Sequence, residues 1–201
     1  MERTDSMTHE PLFLYIESKS SHTLTADEKV QITAAFKPRH LRKRQYLLQE
    51  GDVCKYMAFI VKGAGRMYTM KENSQETIIR LAVESWWLGD YESYNLHTPS
   101  IYYIEMTEDS DVLLVTHEDM KNLGAAIPAI DEMVREIDRK GTIATQKRIH
   151  AAISMDAEER YEVLARTYPE FVRRFPQSMI ASYLGISPET LSRVRKKTIY
   201  K

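Results

Sequence analysis

Gln177 to Lys196 reads QSMIASYLGISPETLSRVRK, the pattern of two short helices crossing at a sharp turn. Ile180, Ala181 and Leu184 share one face of the first helix, and Leu191 and Val194 share one face of the second. Gly185 stands between them, where a left-handed backbone closes the first helix without a Cβ clash. Ile186 then tucks under the turn. Ser187 is placed to cap the second helix, Pro188 takes its first position, where the missing N–H would be unpaired anyway, and Glu189 favours the positive helix end. These signals agree on a helix-turn-helix.

The outward positions of the second helix are Ser187, Pro188, Glu189, Ser192, Arg193 and Lys196, flanked by Arg195 and Lys197. Such a row suits the major groove of double-stranded DNA. Arg193 carries the fork for guanine O6 and N7, Glu189 accepts from cytosine N4–H, and Thr190, Ser192, Arg195 and Lys196 suit base edges or phosphates. Gln177 and Ser178, opening the first helix, complete the candidate contacts. The alternative is an ordinary helical hairpin whose charges are simply solvated.

Charge supports the first reading once the chain is divided. Over 201 residues, 28 Lys and Arg face 29 Asp and Glu, a formal net charge of −1 that predicts no partner. Residues 145–201 carry 11 basic and 6 acidic residues, and the rest carry 17 and 23, so positive charge gathers at the motif end. The length allows one large domain or two small ones. A single cysteine, Cys54, excludes an intramolecular disulfide and a four-cysteine zinc or iron–sulfur site. The longest early apolar run, Pro11 to Ile16, is far below the roughly 20 residues that span a bilayer, which predicts no membrane contact and a cytoplasmic protein.

Along the chain, Leu12 to Ile16 begins a short helix, and Thr25-Ala-Asp-Glu28 reads as a capping box opening a helix through about Phe36, ended by Pro38. Arg39, His40, Arg42, Lys43 and Arg44 form a basic cluster expected to be a solvated rim. From Gln45 to about Thr116 short β-rich runs follow, clearest at Tyr46–Leu48, Met57–Val61, Gly65–Met70, Thr77–Val83 and Val112–Val115. Turns fall at Gly51-Asp52, Lys62-Gly63, Glu72 to Ser74 and Gly89-Asp90. This spacing predicts a jelly roll or related double-sheet barrel.

Beyond Glu118 the period turns helical. From Pro128 to about Ser154, Ile130, Val134, Ile137, Gly141, Ala144 and Ala151 repeat at alternating steps of three and four, broken at Arg148. That is a coiled-coil seam for a partner helix, or a stripe docked on the chain's own barrel. A glycine inside a helix costs about 1 kcal/mol against alanine, which fits a close helix approach at Gly141. A second capped helix runs from about Asp156 to Thr167, where Pro169 stops it.

The QEGD stretch at Gln49 to Asp52, the Lys62-Gly63 turn, Gly89-Asp90 and PQSMIASYLGISPETLSRVRKK at Pro176 to Lys197 resemble the Crp/Fnr family of bacterial transcription regulators. The last stretch is the specific one. The resemblance implies an α+β fold: an N-terminal cyclic-nucleotide-binding-like β-roll over residues 1–127, a long dimerisation helix at 128–154, and a helix-turn-helix domain at 155–201. It also implies a homodimer on a near-palindromic operator, working with RNA polymerase. The chain stops at Lys201, so the β-wing that often follows is expected to be short or missing. The family commonly reads bases through an Arg and a Glu at the start of the recognition helix and an Arg four residues on. Glu189 and Arg193 match, and Pro188 stands where the first Arg would be, so a different operator is expected.

In the cyclic-nucleotide binders of this family, a Gly-Glu pair is followed about ten residues later by an Arg-Ser pair that holds ribose and phosphate. Here Gly89-Asp90 match the first pair, and Ser100 and Ile101 stand in place of the second. The arginine is gone, and Leu81 to Met120 holds nine acids and no Lys or Arg. A buried phosphate lacking that cation is costly, so the expectation is no cyclic AMP response, with the small-molecule effector open. Trp86, Trp87, Tyr91, Tyr94, Tyr102 and Tyr103 gather nearby, as a pocket or as barrel filling. Cys54, His97 and His117 have no evident pairing in the sequence, so no cofactor or metal is expected.

Two rivals are a cupin-like metalloenzyme and a protein-interaction module. The six histidines include no H-x-H pair for a cupin metal, and no nucleophile elbow, P-loop or dinucleotide loop occurs, so no enzyme is expected.

Overall fold

The computed structural model describes residues 8–73 and 75–199, with the backbone alone for Thr198 and Ile199. Its described elements run, in order, α1 (Glu10–Lys19), α2 (Ala26–Ala35), β1 (Lys37–Leu41), β2 (Tyr46–Leu48), β3 (Tyr56–Lys62), β4 (Gly65–Met70), β5 (Glu76–Ala82), β6 (Trp87–Leu88), α3 (Tyr91–Leu96), β7 (Tyr103–Met106), β8 (Ser110–Thr116), α4 (His117–Ala126), α5 (Pro128–Ser154), α6 (Ala157–Thr167), α7 (Pro169–Arg174), α8 (Gln177–Leu184) and α9 (Pro188–Ile199). The strands make two four-stranded sheets, ordered β1-β8-β3-β6 and β2-β7-β4-β5. That is the double-sheet roll expected from the spacing of the β-rich runs.

Two compact units result. One holds residues up to Met67 together with Ala82–Lys140, and the other holds Tyr68–Leu81 together with residues from Gly141 onward.

In the first unit, one face of the β1-β8-β3-β6 sheet is covered by helices. Phe59, Trp87, Leu113 and Val115 project from it into a core shared with Leu12, Phe13 and Ile16 of α1, Ile32 of α2, Leu123 of α4, and Ala129, Ile130 and Met133 of α5. Each fully buried Leu, Ile or Phe there contributes about 1.5–3 kcal/mol of transfer free energy, and this fixes the helices on the sheet. Trp87 is the hub, with ring centroids 5.3 Å from Phe59 and 6.0 Å from Phe36. Thus Trp87 fills a core and does not line a pocket. Of the other clustered aromatics, Tyr94 is buried and Tyr91 is exposed.

Local chemistry sets the boundaries. Thr25 Oγ1 accepts from Glu28 N–H at 3.3 Å, and the Glu28 carboxylate accepts from Thr25 N–H at 2.7 Å, closing the expected capping box. α1 extends past both ends of the expected Leu12–Ile16. Pro38 ends α2, as read, yet it also sits inside β1, which the sequence did not disclose. The edge place of β1 explains this, since an edge strand tolerates a missing N–H, and charged residues such as Arg39 and His40 suit it. β6, β7 and α3 were likewise not anticipated; they are two, four and six residues long, too short for a period to register. His117-Glu118-Asp119 form the first turn of α4, capped by Thr116 Oγ1 accepting from Asp119 N–H at 3.0 Å. Gly63, with φ +101°, is the tightest turn: a Cβ there would lie 2.2 Å from Ser110 Oγ.

On α5, Ile130 is fully buried in the chain's own core, and Val134 and Ile137 pack against that core. The stripe is therefore docked at its start. From Gly141 to His150 the helix is exposed all round, Ala144 included, and a Cβ at Gly141 would meet nothing within 4 Å.

Candidate nucleic-acid interface

In the second unit, α6 to α9 form a small helical cluster around Tyr161, Leu164, Phe171, Phe175, Ile180, Ala181, Leu191 and Val194, all buried. Phe171 is central: its ring meets Phe175 at 5.5 Å and Tyr183 at 6.1 Å, both edge-on. α6 starts at a second capping box, with Asp156 Oδ1 accepting from Glu159 N–H and the Glu159 carboxylate accepting from Asp156 N–H, each at 2.9 Å.

The turn is built as its residues require. Gly185 closes α8 at φ 67°, ψ 35°, and Ile186 N–H reaches back to Ala181 O at 3.0 Å. Arg160 Nη1 donates to Leu184 O at 2.8 Å, satisfying a carbonyl left open at the end of α8. Ser187 Oγ accepts from Thr190 N–H at 3.2 Å and caps α9, with Pro188 at its first position.

This frame leaves one face of α9 outside. Ser187, Pro188, Glu189, Ser192, Arg193, Lys196 and Lys197 are exposed, Thr190 and Arg195 are half-buried, and Gln177 and Ser178 are exposed at the start of α8. Arg193 Nη2 donates to Thr190 Oγ1 at 3.3 Å, and Lys197 Nζ lies 3.4 Å from the Glu158 carboxylate. The Glu189 carboxyl is held below its ordinary range by its own backbone N–H, then by the Ser187 hydroxyl, then by the charge of Arg193, so it is an acceptor at neutral pH. Forked cation, acceptor and flanking cations thus share one exposed helix face.

Two further basic residues are otherwise engaged. Arg173 pairs with Glu170 at 2.5 Å. Arg148 turns onto β5, bonding the carbonyls of Ile78 and Ile79, and its guanidinium lies 4.6 Å over the Tyr183 ring.

In the first unit, Gly89 and Asp90 lead into α3, and Asp90 is its cap, accepting from Glu92 N–H at 3.1 Å. The other carboxylate oxygen accepts from Ser100 Oγ at 2.7 Å, and both residues are buried. Ser100 N–H donates to Asp52 O at 2.9 Å, and Gly51 N–H donates to Ser100 O at 2.8 Å. Gly89 backs onto Met57, whose Sδ would lie 2.3 Å from an added Cβ. Ile101, by contrast, is 62% exposed.

The family described as cyclic nucleotide-binding domain matches residues 38–126. The matched residues run from β1 to the end of α4. The chain is 25% identical over 165 residues to an anaerobic regulatory protein of Pasteurella multocida, covering 77% of this chain and 60% of that one. It is 29% identical over 99 residues to the transcriptional regulatory protein btr of Bordetella pertussis, covering 43% and 40%. It therefore spans less than two thirds of the length of either relative. Among solved structures, FixK2 from Bradyrhizobium japonicum superposes with a TM-score of 0.66 over 81% of this chain and 83% of that one, at 17% identity, a likeness of fold.

Within the matched residues 38–126, two pairings escaped the sequence reading. The acid-only stretch from Leu81 to Met120 receives a cation from outside it: Arg66 on β4 reaches Glu105 on β7, with Nε 3.0 Å and Nη2 2.9 Å from Oε1, and both residues are buried. A strand-to-strand pairing at a separation of 39 residues leaves no local signal. His97 and His117 also meet, edge to face at 5.5 Å, beside Tyr94. Among the described residues, no group of three or more potential ligands is assembled for a metal ion.

Proposed function

We propose that the chain is a DNA-binding transcription regulator that acts as a homodimer, with α9 entering the major groove. The observation that carries this reading is the exposed row Glu189, Arg193, Lys196 and Lys197 on a helix fixed by Gly185, Ser187 and a buried apolar cluster. A rigid helix presenting a forked cation and a carboxylate to solvent is what base-edge reading needs, and neighbouring cations supply phosphate contacts. The names of the relatives support the same role, as do the two-unit organisation and the basic C-terminal end.

In this proposal the unit rich in strands is the sensor, α5 joins two copies, and the C-terminal helices bind DNA. Gly141 and Ala144 form the dimer contact, while Val134 and Ile137 bridge it to the protomer core. Two recognition helices then read half-sites about 34 Å apart, so the operator is near-palindromic. Pro188, with no side-chain donor, contributes shape rather than base reading. RNA polymerase is the further partner, and the compartment is the cytoplasm; among the described residues no helix is long and apolar enough to cross a membrane. No catalytic role is assigned.

The domain's ligand locus favours an effector other than cyclic AMP, or none. The Asp90 carboxylate is already bonded to Ser100 and the start of α3, and Ile101 faces solvent where the phosphate-binding pair would stand.

Selection of duplexes from a random pool by the full chain, followed by gel shifts at several salt concentrations, tests the proposal. Enrichment of an inverted repeat and a steep fall of affinity with salt are expected. A pool with no enriched sequence and no salt slope overturns it.

A further inference from the structure

In the second unit, β5, α5 and α8 bring two arginines and a tyrosine together. Ser182 Oγ donates to Glu76 O at 3.1 Å and accepts from Ile78 N–H at 2.9 Å, which sets α8 against the edge of β5. Tyr183, the next residue of α8, is half-buried, with the Arg148 guanidinium 4.6 Å from its ring centroid. Arg80, two residues beyond Ile78, completes the group from the strand side. The charges of Arg148 and Arg80 both act on the Tyr183 hydroxyl, and that of Arg148 acts on Arg80.

No acid joins them. Burial by the surrounding protein holds the Arg80 guanidinium below its ordinary range, Tyr183 raises it and Arg148 lowers it again, with no carboxylate among the causes. Among the described residues Arg80 makes no hydrogen bond or ion pair, and its side chain is open to solvent. Arg148 spends one N–H on the Ile79 carbonyl and one on that of Ile78, which leaves three of a guanidinium's five. The Tyr183 hydroxyl has no hydrogen-bond partner among the described residues either. Like charges held together repel, the more so where protein displaces water, and an anion between them relieves the repulsion. Forked N–H donors and a phenol O–H on three different elements suit a phosphate, whose oxygens point in several directions, better than a planar carboxylate.

We propose that Arg80, Arg148 and Tyr183 form a binding site for a phosphate group, the two guanidiniums supplying charge and the hydroxyl a third donor. Its source is the backbone of duplex DNA or a free phosphate. The first source rests on the DNA-binding reading above; the second does not.

The test uses the full chain. Calorimetric titration with inorganic phosphate, at constant ionic strength in chloride, is expected to give a saturable signal that Arg80→Gln weakens about tenfold and Tyr183→Phe about fivefold. Tyr183→Phe keeps the ring under Arg148, so its loss reports the hydroxyl. Gel shifts with duplexes retained from the random pool form the other arm. If Arg80→Gln weakens all sequences evenly and lowers the salt slope by about 1, the phosphate is that of DNA. An unchanged slope beside a weakened titration identifies free phosphate. Arg80→Gln removes a repelled charge, so in chloride its unfolding midpoint is expected to equal or exceed the parent's. A lower midpoint makes Arg80 structural and overturns the site, as does the lack of any Arg80-dependent effect in both arms. If the parent chain binds no duplex, the DNA reading fails, and the titration still decides the site.

Discussion

Ser100 Oγ donates to Asp90 Oδ2 at 2.7 Å, inside the segment that the family resemblance designates for ligand. Both groups are buried, so the carboxylate is already satisfied within the protein, and on the proposed reading the locus is closed. Cyclic AMP and cyclic GMP are accordingly expected to leave the thermal unfolding midpoint unchanged at millimolar concentration. A saturable rise in that midpoint contradicts the closed locus. Ser100→Ala, which leaves a buried carboxylate oxygen short of a donor, is expected to cost about 1–3 kcal/mol in denaturant unfolding.

Arg66 and Glu105 form an ion pair with little solvent contact. Breaking such a pair from one side strands a charge, so Arg66→Met or Glu105→Leu alone is expected to destabilise by about 3–5 kcal/mol. The double apolar replacement is expected to recover most of that loss, because both desolvation costs vanish together. Urea unfolding of the three variants decides it, and additive losses refute the pairing.

Arg193→Ala is expected to lose about 1–3 kcal/mol at one base position and to relax preference there. Lys197→Ala is expected to weaken all sequences evenly and lower the salt slope by about 1. Equal, sequence-independent effects of the two would remove Arg193 from base reading.

Ala144 is exposed along the open half of α5, so Ala144→Glu leaves the protomer core untouched. Sedimentation is expected to show a dimer for the parent chain and a monomer for the variant at micromolar concentration. An unchanged dimer places the interface elsewhere.

The Glu28 carboxyl is held below its ordinary range, first by Thr25 N–H and then by the Thr25 hydroxyl. A carboxylate depressed in the folded state stabilises above its unfolded value, near 4.5, and that contribution fades as pH falls through the folded value. Thr25→Ala is expected to reduce stability at pH 7 by about 1 kcal/mol and to flatten the acid limb of the stability curve. A parallel downward shift at every pH contradicts the assignment to Glu28.

The parts of this protein that were legible in its residues are those governed by neighbours in sequence. Gly185, Ser187 and Pro188 set the turn and cap of the helix-turn-helix because left-handed closure and N-capping are decided within four residues. The Thr25 and Asp156 capping boxes were readable for the same reason, and so were the longer strands, whose alternation spans enough residues to register. What only the tertiary structure decided involves groups far apart in the chain: the Arg66–Glu105 pair, the burial of Ile130 in the chain's own core, β1 running through Pro38 as an edge, and the turning of Arg148 and Ser182 onto β5. The physical reason is that a side chain's local pattern states what it is able to bond, while the partner that satisfies it is chosen by whichever backbone or charge the fold brings within about 3 Å.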